Sequence, residues 1–383
     1  GFESARGVRD SAYGLVGTSS FYKRESFPGH VTPWSDFFDG LDAFNTVENG
    51  QSSNWFTQGA DAGRYRNNDI WAVRLVAMEP GTHRSYGPNG GPAGAQMFTS
   101  HAGERLRILG EIPLRKQNPD GSPLLDPDGN PDTSFLARIP ADTPFTFQTL
   151  DRDGLVLNMA QTWHQVRPGE MRADCGGCHA HSQTPLAFES TAAARPEYAV
   201  TDLTRGQVPL LSKDAGGNPV TRNVAGNVVN VEFVRDVRPI LQRSCVPCHT
   251  KNAATPPGNL VLDDLASYDG LPGDYARLAD DTDARWGYGP VASWDGSRGT
   301  WRQSNASRYV RMFQSRRSLL AWKVFGRRLD GWRNADHPTE SVPGDASTLP
   351  AGADANAADL DFTGTIMPPP GSGVPALGED EKM

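Results

Sequence analysis

Val231-Glu-Phe-Val-Arg-Asp-Val-Arg-Pro-Ile-Leu-Gln-Arg-Ser244 runs straight into Cys245-Val-Pro-Cys248-His249, and this junction decides how the C-terminal half reads. Phe233, Val237, Ile240 and Leu241 recur at helical spacing, so a helix over about 231–244 delivers the first thiol. Two thiols three positions apart can add across the two vinyl groups of one haem. The adjacent histidine then lies under the iron and supplies an axial nitrogen. The pattern recurs as Cys175-Gly-Gly-Cys178-His179, and the chain holds four cysteines in all, so none is left for a disulfide framework. Two rival readings compete. Structural zinc takes four Cys/His ligands, which the two motifs together could supply. A thioredoxin-like redox pair has no need of a histidine in the same place twice. The expectation is two covalently attached haem c groups, one on Cys175, Cys178 and His179, the other on Cys245, Cys248 and His249.

Composition agrees with a chain that fills part of its core with something other than aliphatic side chains. Of 383 residues, 41 are glycine and 30 proline, and only 37% are apolar, below the usual ~45–50%. No run of ~20 apolar residues exists, so no transmembrane helix is expected. Turn residues interrupt almost every stretch, which excludes a helical bundle. The net charge of −8 and the lack of basic blocks argue against nucleic acid as a partner. Covalent haem attachment takes place outside the cytoplasm in bacteria, so a periplasmic or extracellular location is expected. Gly1-Phe2-Glu3 shows neither an initiator methionine nor a basic-then-apolar leader, so the chain reads as processed or cut.

The texture changes along the chain. Residues 1–70 are aromatic and glycine-rich without clear periodicity and read as an irregular N-terminal wrap. Short β-like runs follow at Ile70–Met78, Leu106–Leu114, Ser134–Ile139, Phe145–Leu150 and Gly154–Thr162. Asn118-Pro-Asp-Gly121, Asp126-Pro-Asp-Gly-Asn130 and Asp151-Arg-Asp-Gly154 punctuate them, which suggests a small antiparallel β-sandwich. Residues 71–200 therefore read as a β-rich domain carrying the first haem, and 201–230 as a connector. Residues 231–383 read as a mostly α domain carrying the second haem, with another helix over about 305–328. The fold class is thus α+β and multidomain. Asp126, Asp128, Asn130 and Asp132 alternate around Gly129 as calcium loops do. The full EF-hand spacing and closing glutamate are missing, so an ordinary turn is favoured over calcium.

From Val231 onward the sequence resembles a bacterial cytochrome c domain. The resemblance is carried by the helix into Cys245–His249, by Thr363-Gly-Thr-Ile-Met367-Pro-Pro-Pro370, and by the acidic helix start after Leu377. It implies that Met367 is the distal ligand of the second haem, with His337 and Met312 as rivals. A thioether opposite imidazole raises the reduction potential. In this fold a C-terminal helix crosses the N-terminal one. Here it is cut short, so the natural protein is expected to continue beyond Met383 and to begin before Gly1.

Leu106–Thr184 carries a second resemblance, in Ile108-Leu-Gly-Glu-Ile-Pro113, Ile139-Pro-Ala-Asp142, Phe147-Gln-Thr-Leu-Asp-Arg-Asp-Gly154 and Pro168-Gly-Glu170 through Cys175–His179. These look like the middle domain of hydrazine synthase alpha subunit-like proteins, multidomain c-type cytochromes in which this β-domain presents one haem. In hydrazine synthase a tyrosine shortly after the motif ligates iron while the motif histidine binds zinc. Here Ala180-His181-Ser182-Gln183 follows, with Gln183 at the counterpart position, so the resemblance implies haem attachment and not hydrazine synthesis.

The sixth position of the first haem decides between wiring and catalysis. His164 is the favoured ligand, eleven residues before the motif; His83, His101, Met97 and His30 are alternatives, and an open site is another. His181 lies too close behind His179 to reach the opposite haem face. The leading expectation is a dihaem electron-transfer protein with redox partner proteins. The second is a haem-dependent oxidoreductase acting on a small nitrogen or oxygen species at an open first haem, with His181, Glu170 or Asp174 nearby. The third is a wiring subunit of a larger cytochrome complex.

Overall fold

The structure is a computed structural model. It describes residues 12–23, 26–27, 41–42, 47–48, 51–52, 67–79, 105–159, 163–174, 184–225, 229, 231–281, 285–286, 307–310, 315–331, 333–336 and 361–383. Its centre is a pair of four-stranded sheets. The principal strands are β1 (Tyr13–Thr18), β2 (Ala72–Glu79), β3 (Arg105–Pro113), β4 (Phe135–Pro140), β5 (Phe145–Leu150), β6 (Val156–Met159), β7 (Met171–Arg172), β8 (Thr201–Asp202), β9 (Gln207–Lys213) and β10 (Pro219–Ala225). One sheet has the order β7-β1-β4-β8, the other β6-β5-β2-β3, and β9 pairs with β10 as a separate hairpin. Val16, Phe135, Ala137 and Ile139 from the first sheet share one core with Val73, Leu75, Ile112, Phe145 and Leu157 from the second, as period-two strands facing each other require.

Four expectations change. The N-terminal wrap contributes β1, with Leu15 and Val16 buried. Its two glycines disguise it, yet they are what the packing demands. A Cβ at Gly17 would lie 2.4 Å from the Phe135 carbonyl oxygen. The sandwich is mixed, because β1 runs parallel to β7 and β4 parallel to β8. The connector is structured: β9 and β10 pair over their whole length, and the buried Glu111 carboxylate ties the hairpin to β3. Leu211 N donates to it at 2.7 Å and Arg74 Nε at 2.6 Å. A carboxylate this deep persists only with such partners. Finally, the helix expected over 305–328 is short. Among the described residues of that stretch, only α3 (Leu319–Phe325) is α-helical, after a single 3-10 turn at Ser315–Arg317.

The C-terminal unit is built on α1 (Arg238–Ser244), α2 (Gly273–Ala279), α3 and α4 (Glu379–Lys382). A wider turn at Phe233–Val237 precedes α1. It is closed reciprocally: Arg235 N donates to the Glu232 carboxylate at 2.7 Å and Glu232 N to Asp236 at 2.8 Å. Pro239 occupies the first turn of α1, where its missing N–H costs nothing. Leu241, Leu260, Leu262 and Leu278 form the small core, with Phe233, Val237, Cys245, Tyr309 and Leu320 against it. Val231 and Val234 stay outside, 69% and 49% exposed.

The two units meet at α3. Trp322, fully buried, packs with Leu155 from the β5–β6 turn and with Leu329. Asp151 of that turn pairs with Arg316 at 3.2 Å, and Asp153 takes Lys213 at 2.5 Å and also Arg327. Near α4, Ser212 donates to Asp380 at 2.6 Å, and Arg243 of α1 grips Glu381 through two 2.7 Å bonds. Among the described residues, no helix is long and apolar enough to cross a membrane.

Candidate functional site

Helix α1 ends by turning into the second motif. Cys245 N donates to Leu241 O at 2.8 Å, and Cys248 N and His249 N both reach Cys245 O, at 3.1 and 2.9 Å. The motif is therefore one further helical turn, which sets both sulfurs and the imidazole on a short stretch of rigid backbone. The two thiols are free, Cys245 half-buried and Cys248 exposed. Burial pushes the Cys245 thiol up to about 11, as expected for a sulfur in apolar surroundings.

The imidazole is oriented by the loop that follows. His249 Nδ1 lies 3.3 Å from the Leu260 carbonyl oxygen, and Leu262 N donates back to His249 O at 2.8 Å. A ring nitrogen directed at a carbonyl carries the proton, which leaves Nε2 as the basic atom. Burial lowers the affinity of the ring for a second proton, the Leu260 contact opposes this, and the Lys323 ammonium contributes further lowering. Leu320 of α3 packs in one cluster with Cys245, Val246, Leu260 and Leu262, on either side of the histidine in the chain. Lys323 also holds the segment carrying Met367. Its carbonyl accepts from Met367 N at 2.8 Å, and its Nζ donates to Thr363 O at 2.5 Å. One turn later Gly326 ends α3 in the left-handed region at φ 72°. A Cβ there would come within 2.9 Å of Ile366 Cβ, so the glycine serves both the cap and the seating of the loop.

The second motif and the Met367 loop thus both lie against α3, although 118 positions separate His249 from Met367. The donor set suits a haem: two unbonded thiols on one turn, an imidazole with Nε2 left over, and Leu241, Leu260, Leu262 and Leu320 as apolar surroundings. Among the described residues, no group of three or more His, Cys, Asp and Glu side chains is gathered as for a metal ion. The role of Lys323 had no sequence signal beyond a cation in the middle of a helix.

The first motif, Cys175, Cys178 and His179, lies outside the described residues, as do His181, Gln183, His83, His101, Met97, His30, His337 and Met312. His164 is described. Its backbone bridges Phe145, with N–H···O distances of 2.8 and 2.9 Å, and its ring lies 5.9 and 5.6 Å from the rings of Phe145 and Phe147. Glu170 staples the turn before the motif, accepting from Arg167 N at 2.7 Å and pairing with Arg172 at 2.9 Å. The Arg167 amide, more than the Arg172 charge, holds its carboxyl below the usual range, so at neutral pH it is a carboxylate and not a proton donor.

Residues 68–180 match the hydrazine synthase alpha subunit middle domain. The match spans β2 to β7 and ends just past His179, so the sandwich strands β2 to β7 and the first motif fall within one recognisable unit. The chain is also similar to the protein named hydrazine synthase subunit alpha from Kuenenia stuttgartiensis, 26% identical over 313 residues, covering 72% of this chain and 35% of that one. It therefore spans about a third of that relative's length. Among solved structures, Kuenenia stuttgartiensis hydrazine synthase overlays 98% of this chain and 42% of its own, with a TM-score of 0.47 at 19% identity.

The Asp126–Asp132 segment is engaged within the protein. Asp126 Oδ1 accepts from Asp128 N and Asn130 N at 3.0 and 2.9 Å, Asp128 pairs with Lys23 at 2.7 Å, and Asp132 takes Lys116, Ser134 and Ala192 N. Burial raises the Asp126 carboxyl above its ordinary range, and its Oδ2 is buried without a hydrogen-bond partner among the described residues. These are the contacts of an Asx-type hairpin end.

Proposed function

We propose that this chain is a dihaem c-type cytochrome that passes electrons one at a time between external redox partners, outside the cytoplasm. The observation that carries the reading is that α3 packs through Leu320 against Cys245 and the loop after the second motif, and through Lys323 holds the Met367 loop. When bound, haem supplies reversible one-electron chemistry at iron. Cys245 and Cys248 would hold the second haem by thioether bonds. His249 would offer Nε2 because Nδ1 faces Leu260 O, and Met367 would offer its thioether. Leu241, Leu260 and Leu262 exclude water from that side. Cys175, Cys178 and His179 would hold the first haem, with His164 as its second ligand. The test is the spin state of the oxidised holoprotein, with carbon monoxide added after reduction. Two low-spin haems and no adduct are expected; a high-spin haem that takes up carbon monoxide overturns simple electron transfer.

A second reading is favoured by the match of residues 68–180 to the hydrazine synthase alpha subunit middle domain. Under it the first haem is open and acts as an oxidoreductase centre on a small nitrogen or oxygen species, fed by the second. The relative is named as a subunit, and a place for this chain in a larger cytochrome complex is part of both readings. The carbon monoxide adduct that defeats the first reading is what the second requires.

A further inference from the structure

The Met367 loop is held at two points by one residue. Lys323 donates through Nζ to the Thr363 carbonyl at 2.5 Å, and its own carbonyl accepts from the Met367 amide at 2.8 Å. The bonded positions bracket the whole Thr363–Met367 turn, so the side chain and backbone of Lys323 clasp both its ends. The ammonium also sits 5.2 Å from the Phe362 ring centroid, which orients it by a cation–π contact. Lys323 is partly buried, and Leu320, one turn earlier on α3, packs with Cys245, Leu260 and Leu262 of the second motif and the loop after it. A cation in this position, screened on one side by Phe362 and α3, keeps more of its field than one in open water.

We propose that Lys323 is a positioning residue that clasps the Thr363–Met367 loop shut against α3, and that its charge raises the reduction potential of the haem held by His249. This rests on the reading that His249 and Met367 ligate the second haem. Reduction adds one electron at iron and lowers the charge there by one, so a fixed neighbouring cation stabilises the reduced state relative to the oxidised one. The clasp acts separately. Without the Thr363 bond the loop keeps its Met367 backbone contact and the Ile366 packing over Gly326 but loses its tie at the Thr363 end, so the thioether would be held less firmly.

The experiment compares the holoprotein with Lys323→Met and Lys323→Arg. It reads the far-red absorption band of a thioether bound to ferric haem, and the potential of the second haem by spectroelectrochemical titration. Lys323→Met is expected to weaken the band and to lower the potential by a threefold to tenfold shift in the electron-sharing equilibrium, tenfold being about 59 mV for one electron. Lys323→Arg, which keeps charge and donor, restores both. If the wild-type protein shows no thioether band, the ligation reading itself has failed. If the band is present and Lys323→Met leaves both band and potential unchanged, ligation stands and the role given to Lys323 is overturned. Should Lys323→Met fail to load haem, Lys323→Gln, an uncharged donor, is read in its place, and a wild-type potential in that variant overturns the role of the charge.

Discussion

Met367 owes its place to main-chain contacts. Its amide is taken by Lys323 O, and the preceding Ile366 fills the space over Gly326, so the loop stays seated when the thioether is cut away. Met367→Ala therefore separates ligation from folding. In the holoprotein the second haem is expected to become high-spin in the oxidised form and to bind carbon monoxide when reduced. The melting temperature should move by only a few degrees, about what a 1 kcal/mol change gives in a chain of this size. An unchanged spectrum would mean that another side chain occupies the position. The same contacts explain what was legible at this scale. Cysteine spacing announces its chemistry directly, because thioether attachment needs those atoms in that order. The hold of Lys323 on the loop is invisible in sequence, because it joins positions far apart through backbone atoms that every residue possesses.

Helix α1 is a short element that depends on its start. The Glu232–Asp236 pair closes the first turn reciprocally, and Arg235 Nη2 adds a 2.7 Å bond to Asp236. The Arg235 guanidinium, with the Glu232 amide second, brings the Asp236 carboxyl from 3.8 down to about 2. A depressed carboxyl contributes fully above its unfolded value and loses that contribution as pH falls through its folded value. The Arg235 Nε–H resonance is therefore expected to be flat above about pH 4 and to titrate near pH 2; a midpoint near 4 would show the pair to be absent in solution. Elsewhere the elements differ from their sequence signals for local reasons. β1 carries two glycines that read as loop but serve close approach to β4 and Val166. The apolar residues after Asn305 read as one long helix, yet Ser307 Oγ takes Tyr309 N and Val310 N at 2.9 and 3.1 Å. Hydroxyls that bind backbone amides this way compete with the helix, and Gly326 then stops α3.

At the scale of the molecule, charge is segregated. Residues 302–333 hold Arg302, Arg308, Arg311, Arg316, Arg317, Lys323, Arg327, Arg328 and Arg333 against Asp330 alone, in a chain of net charge −8. That basic stretch meets the β-sandwich at the Asp151–Leu155 turn. There the apolar contact of Leu155 with Trp322 is flanked by the Asp151–Arg316 and Asp153–Arg327 pairs. Asp153 is the pivot because it also takes Lys213 from the β9–β10 hairpin, so one carboxylate joins three parts of the fold. Its side chain is 12% exposed, that of Lys213 11%, and that of Arg327 58%. The contributions should therefore be unequal. Asp153→Asn leaves the buried Lys213 ammonium with only its 3.5 Å pair to Glu379 and is expected to cost about 1–3 kcal/mol. Arg327→Gln removes a mostly solvated partner and should cost at most about 1 kcal/mol. Because both act on one carboxylate, the double variant should be less destabilised than the sum of the two single variants. The difference should shrink as salt is raised, since the exposed Arg327 arm is screened more than the Lys213 arm. Denaturant melts of the four proteins at low and high salt measure it. Strict additivity at low salt would mean that Arg327 does not act through Asp153 in solution.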